Sequence, residues 1–122
     1  MGDFGAAAGD LERVIRMAPG YDYQRAAGLL AHAWARIGRK EEADRLFARV
    51  TETSTISETQ YNYAIFLAEQ DRMAEARQWT QRVLNKKATM PRYLRRMERP
   101  WFRKAAALLK QLPATEQSAL SH

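Results

Sequence analysis

The sequence predicts an all-α protein built from antiparallel helix hairpins that stack on one another. Apolar residues recur at spacings of three and four along nearly the whole chain, and alanine, leucine, glutamine, glutamate and arginine outnumber the β-branched residues. The helical pattern also repeats at an offset of 33 residues, which brings Ala31 onto Ala64. A length of 122 residues, 46% of them hydrophobic and 28% charged, suits one soluble domain with its own core.

Three helices are expected in the first half of the chain, over about 3–17, 22–37 and 40–51. Pro19 and Gly20 should end the first helix, and Gly38 should supply the left-handed residue that ends the second. The residues expected to face inward are Phe4, Ala7, Leu11, Val14 and Ile15 in the first helix, Ala27, Leu30, Ala31 and Trp34 in the second, and Ala43, Leu46, Phe47 and Val50 in the third.

The second half is expected to hold a fourth helix from Ser57 to about residue 70, a fifth over about 72–86, and a C-terminal helical region. Ser57 and Gln60 have the spacing of a capping box, in which each side chain satisfies a backbone N–H at the helix start. Pro91 and Pro100 predict a short helix that stops before Pro100 and a last helix over about 100–112. The expected inward residues are Tyr63, Ala64 and Leu67, then Ala76, Trp79, Val83 and Leu84, and finally Trp101, Ala105, Leu108 and Leu112.

The internal repeat is the most specific feature of the sequence. Residues 26–50 align without a gap at the offset of 33, and the aligned pairs include Ala31 with Ala64, Trp34 with Leu67, Gly38 with Asp71, Ala43 with Ala76 and Val50 with Val83. This pattern resembles the tetratricopeptide repeat, a helix-turn-helix unit of about 34 residues. The resemblance implies a right-handed superhelical stack of antiparallel helix hairpins, an α-solenoid of the tetratricopeptide type.

The resemblance divides a single domain, residues 1–122, into five segments. They are a second helix of a partial repeat at 2–20, full repeats at 24–56 and 57–88, a basic segment with a capping helix at 89–113, and a flexible tail at 114–122. In the partial repeat, Ala7, Leu11, Val14 and Pro19 stand on the family's positions. Pro100 would fall inside the first helix of a further repeat, so the last helix is expected to cap the apolar end of the stack.

In tetratricopeptide proteins the first helix of each unit lines a groove that holds a peptide. The resemblance therefore implies a protein-binding scaffold that takes a partner peptide, or that docks through its repeat ends onto another subunit, a second copy or the rest of a longer chain. The mapped groove positions are Arg25, Gly28, Leu29, His32, Ala35, Arg36, Glu58, Tyr61, Asn62, Ile65, Ala68 and Glu69. Together they mix apolar and polar groups as peptide recognition requires. Taken one at a time, each is more simply interpreted as an ordinary solvated surface residue.

The positive charge is concentrated near the C-terminal end. Residues 82–104 hold nine of the 20 basic residues and one acidic residue, Glu98, which gives the segment a net charge of +8. The candidate basic patch consists of Lys86, Lys87, Arg92, Arg95, Arg96, Arg99, Arg103 and Lys104. With Tyr93, Trp101 and Phe102 among these cations, the segment predicts an alternative function, the binding of nucleic acid or of an anionic membrane or protein surface. The competing interpretation is that the aromatic rings anchor the last helix while the arginines lie around them in solvent.

The sequence argues against an enzyme. His32 and His122 are the only histidines and there is no cysteine, so neither a catalytic triad nor a histidine or thiolate metal site can be assembled. No catalytic residue, metal or cofactor is assigned. No apolar run approaches the roughly 20 residues needed to span a bilayer. A chain without cysteine fits reducing and oxidising compartments alike, so the location is left open with a slight preference for the cytoplasm.

Overall fold

The computed structural model of the chain describes residues 3–17 and 20–112. These residues form six α-helices and contain no strand, which confirms the all-α prediction. The helices are α1 (Phe4–Met17), α2 (Gly20–Arg36), α3 (Lys40–Thr51), α4 (Ser57–Glu69), α5 (Met73–Asn85) and α6 (Arg92–Gln111), with a 3-10 turn at Lys86–Ala88 between α5 and α6. The bounds of the first five agree with the sequence prediction to within about two residues, a usual margin for helix ends.

Contacts between residues group the chain into two compact units, Met1–Thr59 and Gln60–His122, and the division falls within α4. In the first unit, a core cluster joins α1 to α2 and α3, and its members are Ala8, Leu30 and Ala33 with Phe4, Leu11, Ile15, Trp34 and Leu46 packed against them. In the second unit, a cluster joins α5 to α6 and consists of Val83, Phe102 and Ala105 with Tyr61, Leu84 and Met90 packed against them. The single domain over 1–122 stays a prediction.

The turn inside each hairpin has the same backbone conformation in both copies of the repeat. Gly38, between α2 and α3, has a φ of 91°, and Asp71, at the equivalent position between α4 and α5, has a φ of 62°. In both turns the next N–H, of Arg39 or Arg72, donates to the carbonyl five residues earlier at 2.9 Å. This bond and the left-handed residue before it are the standard way to end a helix. The sequence repeat is therefore also a repeat of local structure.

The second helix of each hairpin begins with the same ion pair. Arg39 Nε donates to Glu42 at 2.6 Å, and Arg72 Nε donates to Glu75 at 2.9 Å. The hydrogen bonds from the two arginines hold the pKa values of Glu42 and Glu75 below the ordinary value for glutamate. Because these pairs are exposed to solvent, they contribute little to stability. Their main significance is that they occur at equivalent positions in the two copies of the repeat.

The small residues of the repeat are buried in both copies. Ala31 and Ala64, in the first helix of each hairpin, are 0% exposed, and so are Ala43 and Ala76 in the second helix. Alanine allows two helix backbones to approach closely, which a larger side chain at these positions would prevent. The described residues thus form a helical repeat-like fold.

Substitutions at the two turn residues are expected to act in opposite directions. Gly38→Ala should lower the free energy of unfolding by about 1 kcal/mol, because a Cβ is disfavoured at positive φ. Asp71→Gly should raise it by up to about 1 kcal/mol, because glycine relieves the same strain in the second copy. Urea denaturation of both variants measures the two changes, and effects of the same sign would contradict the shared turn conformation.

The helix break predicted at Pro100 is wrong, because α6 runs through this proline as one helix. Proline has no N–H, so the carbonyl of Arg96 loses its donor within the helix. Arg96 and Pro100 are both exposed, and water can hydrate that carbonyl. Met90 and Phe102, on either side of Pro100 in the sequence, both pack in the cluster around Val83. Packing therefore outweighs the local preference for a break.

The capping box predicted at the start of α4 is also wrong, although the helix does begin at Ser57. Ser57 Oγ and Gln60 Oε1 are buried and have no hydrogen-bond partner within the described part of the chain. Ser54 acts on the loop before the helix, where its Oγ accepts the N–H of Ile56 at 3.2 Å. Serine commonly accepts such a bond from the backbone N–H two residues on.

The inward row predicted for α1 needs one correction. Val14 is 46% exposed, whereas Ala8, which was not expected in the core, is 4% exposed and packs with Leu30 and Ala33. The packed row therefore follows positions four, eight, eleven and fifteen of the chain, and Val14 lies beside it. Pro19 and the tail predicted at 114–122 lie outside the described residues.

Candidate binding surfaces

The groove positions of the first unit lie mainly on α2. Arg25 and Arg36 are exposed, and Leu29 and His32 are half-buried. The His32 ring meets the edge of the Phe4 ring at a centroid distance of 5.7 Å, so part of this side chain belongs to the packing of α1 on α2. Helix α2 therefore presents two cations, Arg25 and Arg36, and one aliphatic side chain, Leu29. Two more of the mapped positions in this unit, Ala35 and Glu58, are half-buried.

Gly28 was mapped to the groove, but it is buried against α4. A Cβ placed on Gly28 would lie 2.3 Å from Thr59 Oγ1 and 2.9 Å from Thr59 Cγ2, far inside van der Waals contact. Thr59 itself is 3% exposed. Glycine is needed here for a close approach of two helices, and Gly28 is not a binding residue.

The remaining groove positions lie on α4 in the second unit. Asn62 and Ile65 are half-buried and Glu69 is exposed. Tyr61 is half-buried because its ring packs on Trp101 at a centroid distance of 5.9 Å, and burial raises the pKa of its hydroxyl. Ala68 is half-buried as well. One part of the Tyr61 side chain thus packs in the second unit, and the rest is exposed to solvent.

The basic patch predicted from the sequence is partly brought together around one cavity of about 520 Å³ in the second unit. Six of the eight predicted cations line it, together with three apolar residues. The cations are Lys87, Arg92, Arg95, Arg96, Arg99 and Arg103, and the apolar residues are Leu84, Phe102 and Ala106. The arginines recur every three or four residues, so they share one face of α6.

The other two predicted cations do not line this cavity. Lys86 is half-buried, which lowers the pKa of its ammonium group, and the nearby charge of Glu98 partly offsets that shift. Lys104 Nζ lies over the ring of Trp101 at 4.5 Å from the centroid. Lys86 is thus half-buried and Lys104 lies on the Trp101 ring, and their place in the basic patch stays a prediction.

A second large cavity, of about 740 Å³, lies in the first unit, where Trp34 and α3 line it. Its charged residues are two acids and two arginines, so their charges balance: Glu42, Glu52, Arg45 and Arg49. A balanced lining favours no particular sign of ligand charge. Of these two cavities, the one lined by α6 is therefore the one with a strong excess of positive charge.

Two further properties of the described residues bear on function. None of the helices within 3–17 and 20–112 has the length and apolar content that a membrane span requires. In the same ranges, no group of three or more histidine or acidic side chains is placed to hold a metal ion.

Comparison with known proteins found no relative. A scan against protein-family models, a search of curated proteins and a search of solved structures each returned no match to this chain. The resemblance to the tetratricopeptide repeat therefore rests on the aligned residues and on the turn that both copies share.

Proposed function

We propose that this chain is a protein-interaction scaffold of the tetratricopeptide type. The observation that supports it is the hairpin that recurs at an offset of 33 residues with the same left-handed turn at Gly38 and Asp71. In repeat proteins of this kind, each unit buries its core against its neighbours and leaves one row of the first helix free for a ligand. The right-handed superhelical stack is part of this proposal, and it requires no catalytic residue or cofactor.

The proposed ligand is a peptide segment of another protein, held by exposed and half-exposed side chains of α2 and α4. Leu29 and Ile65 supply apolar contact, and Asn62 can pair with a peptide backbone. Arg25 is exposed and can pair with an acidic group of the peptide. Docking through the repeat ends onto another subunit, a second copy or the rest of a longer chain is the other form of the same proposal.

The test compares the proteins that the intact chain and a groove variant capture from a cell extract. The groove variant carries Arg25→Glu, Asn62→Ala and Ile65→Ser, and a matched control carries Arg13→Glu, Arg49→Ala and Val14→Ser at exposed positions of α1 and α3. We expect the groove variant to lose the proteins that both other chains retain. Circular dichroism checks that all three fold. Equal capture by all three chains would contradict binding through α2 and α4.

A second candidate function is the binding of nucleic acid or an anionic surface through residues 82–104. The cavity lined by six cations favours it, because clustered positive charge beside apolar walls concentrates anions. Salt separates the two functions: polyanion binding weakens steeply as salt is raised, and groove binding responds far less. Replacing Arg95, Arg96 and Arg99 by alanine should leave peptide or subunit binding nearly intact. Loss of every interaction in that variant would remove the support for the groove.

A further inference from the structure

The arginine face of α6 is long and its charge is largely uncompensated. We define this face as Arg92, Arg95, Arg96, Arg99 and Arg103, all of which are exposed and line the same cavity. From the first to the last of them α6 rises by about 17 Å, at 1.5 Å per residue. No acidic residue lines the cavity among the described residues, and the one acid of the segment, Glu98, lies near Lys86 instead.

Part of the cavity lining is apolar. Leu84 and Phe102 line it together with the cations, and Phe102 is only 4% exposed. A low-dielectric wall behind a row of charges strengthens their attraction for an anion. Arginine also offers a planar pair of donors that fits phosphate oxygens better than lysine does. Five of the six cations are arginines.

We propose that the arginine face of α6 binds the phosphodiester backbone of single-stranded nucleic acid, with a base stacked on Tyr93. The proposal rests on the second candidate function, anion binding by residues 82–104, and names its ligand. A ligand that engages this whole face carries several negative charges in a row over about 17 Å. A strand of nucleic acid has this pattern, because a phosphate joins each nucleotide to the next.

Tyr93 is the aromatic residue of this region that is free to stack. Its side chain is 66% exposed, and Met97, one turn further along α6, is 70% exposed. The other two aromatic residues of the segment are engaged: Phe102 is buried, and Trp101 is held between Lys104 and Tyr61. An exposed aromatic ring beside a row of arginines is the arrangement by which proteins bind single strands without reading their sequence.

The structure favours a nucleic acid over a membrane or an acidic peptide. A helix that lies in a membrane surface needs a broad apolar face, but the apolar face of α6 is packed in the core through Phe102, Ala105 and Leu108. The large apolar side chains that α6 exposes are Tyr93 and Met97, too few for such a face. An acidic peptide could form ion pairs with the arginines, but its carboxylates would not stack on the exposed ring of Tyr93.

The test measures binding of the full chain to a fluorescein-labelled single strand of about 12 uridines, a length within the range of known single-strand sites. Fluorescence anisotropy is recorded at several salt concentrations. One variant carries Arg95→Ala, Arg96→Ala and Arg99→Ala. Its control carries Arg13→Ala, Arg16→Ala and Arg49→Ala, which removes the same charge from exposed positions elsewhere. Tyr93→Ala and Tyr93→Phe form a second pair.

We expect the α6 triple variant to bind roughly 10-fold or more weakly than its control, with the slope of log affinity against log salt reduced by about 2, at about 0.7 per lost phosphate contact. Tyr93→Ala should weaken binding by about 10-fold at every salt concentration, because stacking is not electrostatic. Tyr93→Phe should bind like the original chain, because the ring is kept.

Competition with a polyglutamate peptide and with vesicles of phosphatidylserine and phosphatidylcholine completes the test. If either competes as well as unlabelled RNA and Tyr93→Ala has no effect, the nucleic-acid inference is overturned and anion binding stands. Equal loss in the triple variant and its control would place the strand elsewhere and also overturn it. If every polyanion binds the triple variant as tightly as it binds the original chain, the second candidate function fails as well. That result would not affect the groove proposal.

Discussion

Replacing Phe102 with alanine is expected to lower the free energy of unfolding by about 3–5 kcal/mol, the usual loss for a buried aromatic residue. Phe102 is 4% exposed and joins α6 to α5 through the cluster that contains Val83 and Ala105. Alanine would remove most of the apolar contact and leave a cavity that helix packing cannot fully close. Urea denaturation followed by far-ultraviolet circular dichroism measures the change.

The control for this variant is Met97→Ala, on the same helix. Met97 is 70% exposed, so its replacement should change stability by no more than about 0.5 kcal/mol. Both positions lie in α6 and both changes shorten a large apolar side chain, so they differ mainly in burial. Similar losses for the two variants would show that α6 is not packed through Phe102.

Replacing Gly28 with alanine is expected to cost about 1–3 kcal/mol of unfolding free energy, although alanine ordinarily favours a helix. The new Cβ would lie 2.3 Å from Thr59 Oγ1 and 2.9 Å from Thr59 Cγ2. Because both branches of the threonine are close, rotating its side chain does not clear the space. Either α2 or α4 must shift, and the contact between them is weakened.

Two further variants make this prediction specific. Gly9→Ala in α1 places a Cβ where no atom lies within 4 Å, so it should stabilise the chain by about 0.5–1 kcal/mol. Thr59→Ala removes both crowding atoms, so the double variant with Gly28→Ala should recover part of the loss. The close approach of Gly28 to Thr59 would be contradicted if Gly28→Ala raised the free energy of unfolding, as Gly9→Ala should. It would also be contradicted if the double variant recovered none of the loss.

The order and bounds of the first five helices could be predicted because local signals agree with the packing there. Gly38 ends α2 because glycine readily adopts positive φ, and the apolar spacing predicted the burial of Ala43, Phe47 and Val50 in α3. The repeat was visible as pairs such as Ala31 with Ala64. The pattern of an arginine followed three residues later by glutamate, in Arg39 and Arg72, was an additional signal that sequence reasoning missed.

The errors arose where tertiary packing decides between local alternatives. Pro100 predicts a helix break, but α6 continues through it, and Met90 and Phe102 on either side of it pack in the core of the second unit. Ser57 has the spacing of a cap, yet its hydroxyl is buried without a partner in the described chain. A glycine within a helix, such as Gly28, was a signal of close packing that was interpreted as a surface position.

The basic patch could be found from composition, but its geometry could not. Charge density grouped Lys86 and Lys104 with the arginines, but it could not show that Lys86 is half-buried or that Lys104 lies over the Trp101 ring. The cavity is lined by Leu84 of α5 as well as by Phe102 of α6, and the spacing of residues along one helix cannot show which residues of another helix lie beside it. The structure shows the exposure of the groove positions within each unit separately. Their role in binding stays a proposal.

The repeated hairpin can be checked by backbone resonance assignment by NMR, with chemical shifts that report φ at residues 38 and 71. We predict positive φ at both Gly38 and Asp71, each between two helices that end and begin at equivalent positions. A negative φ at Asp71, with a helix that continues from α4 into α5, would contradict a second copy of the hairpin and remove the basis of the proposed scaffold.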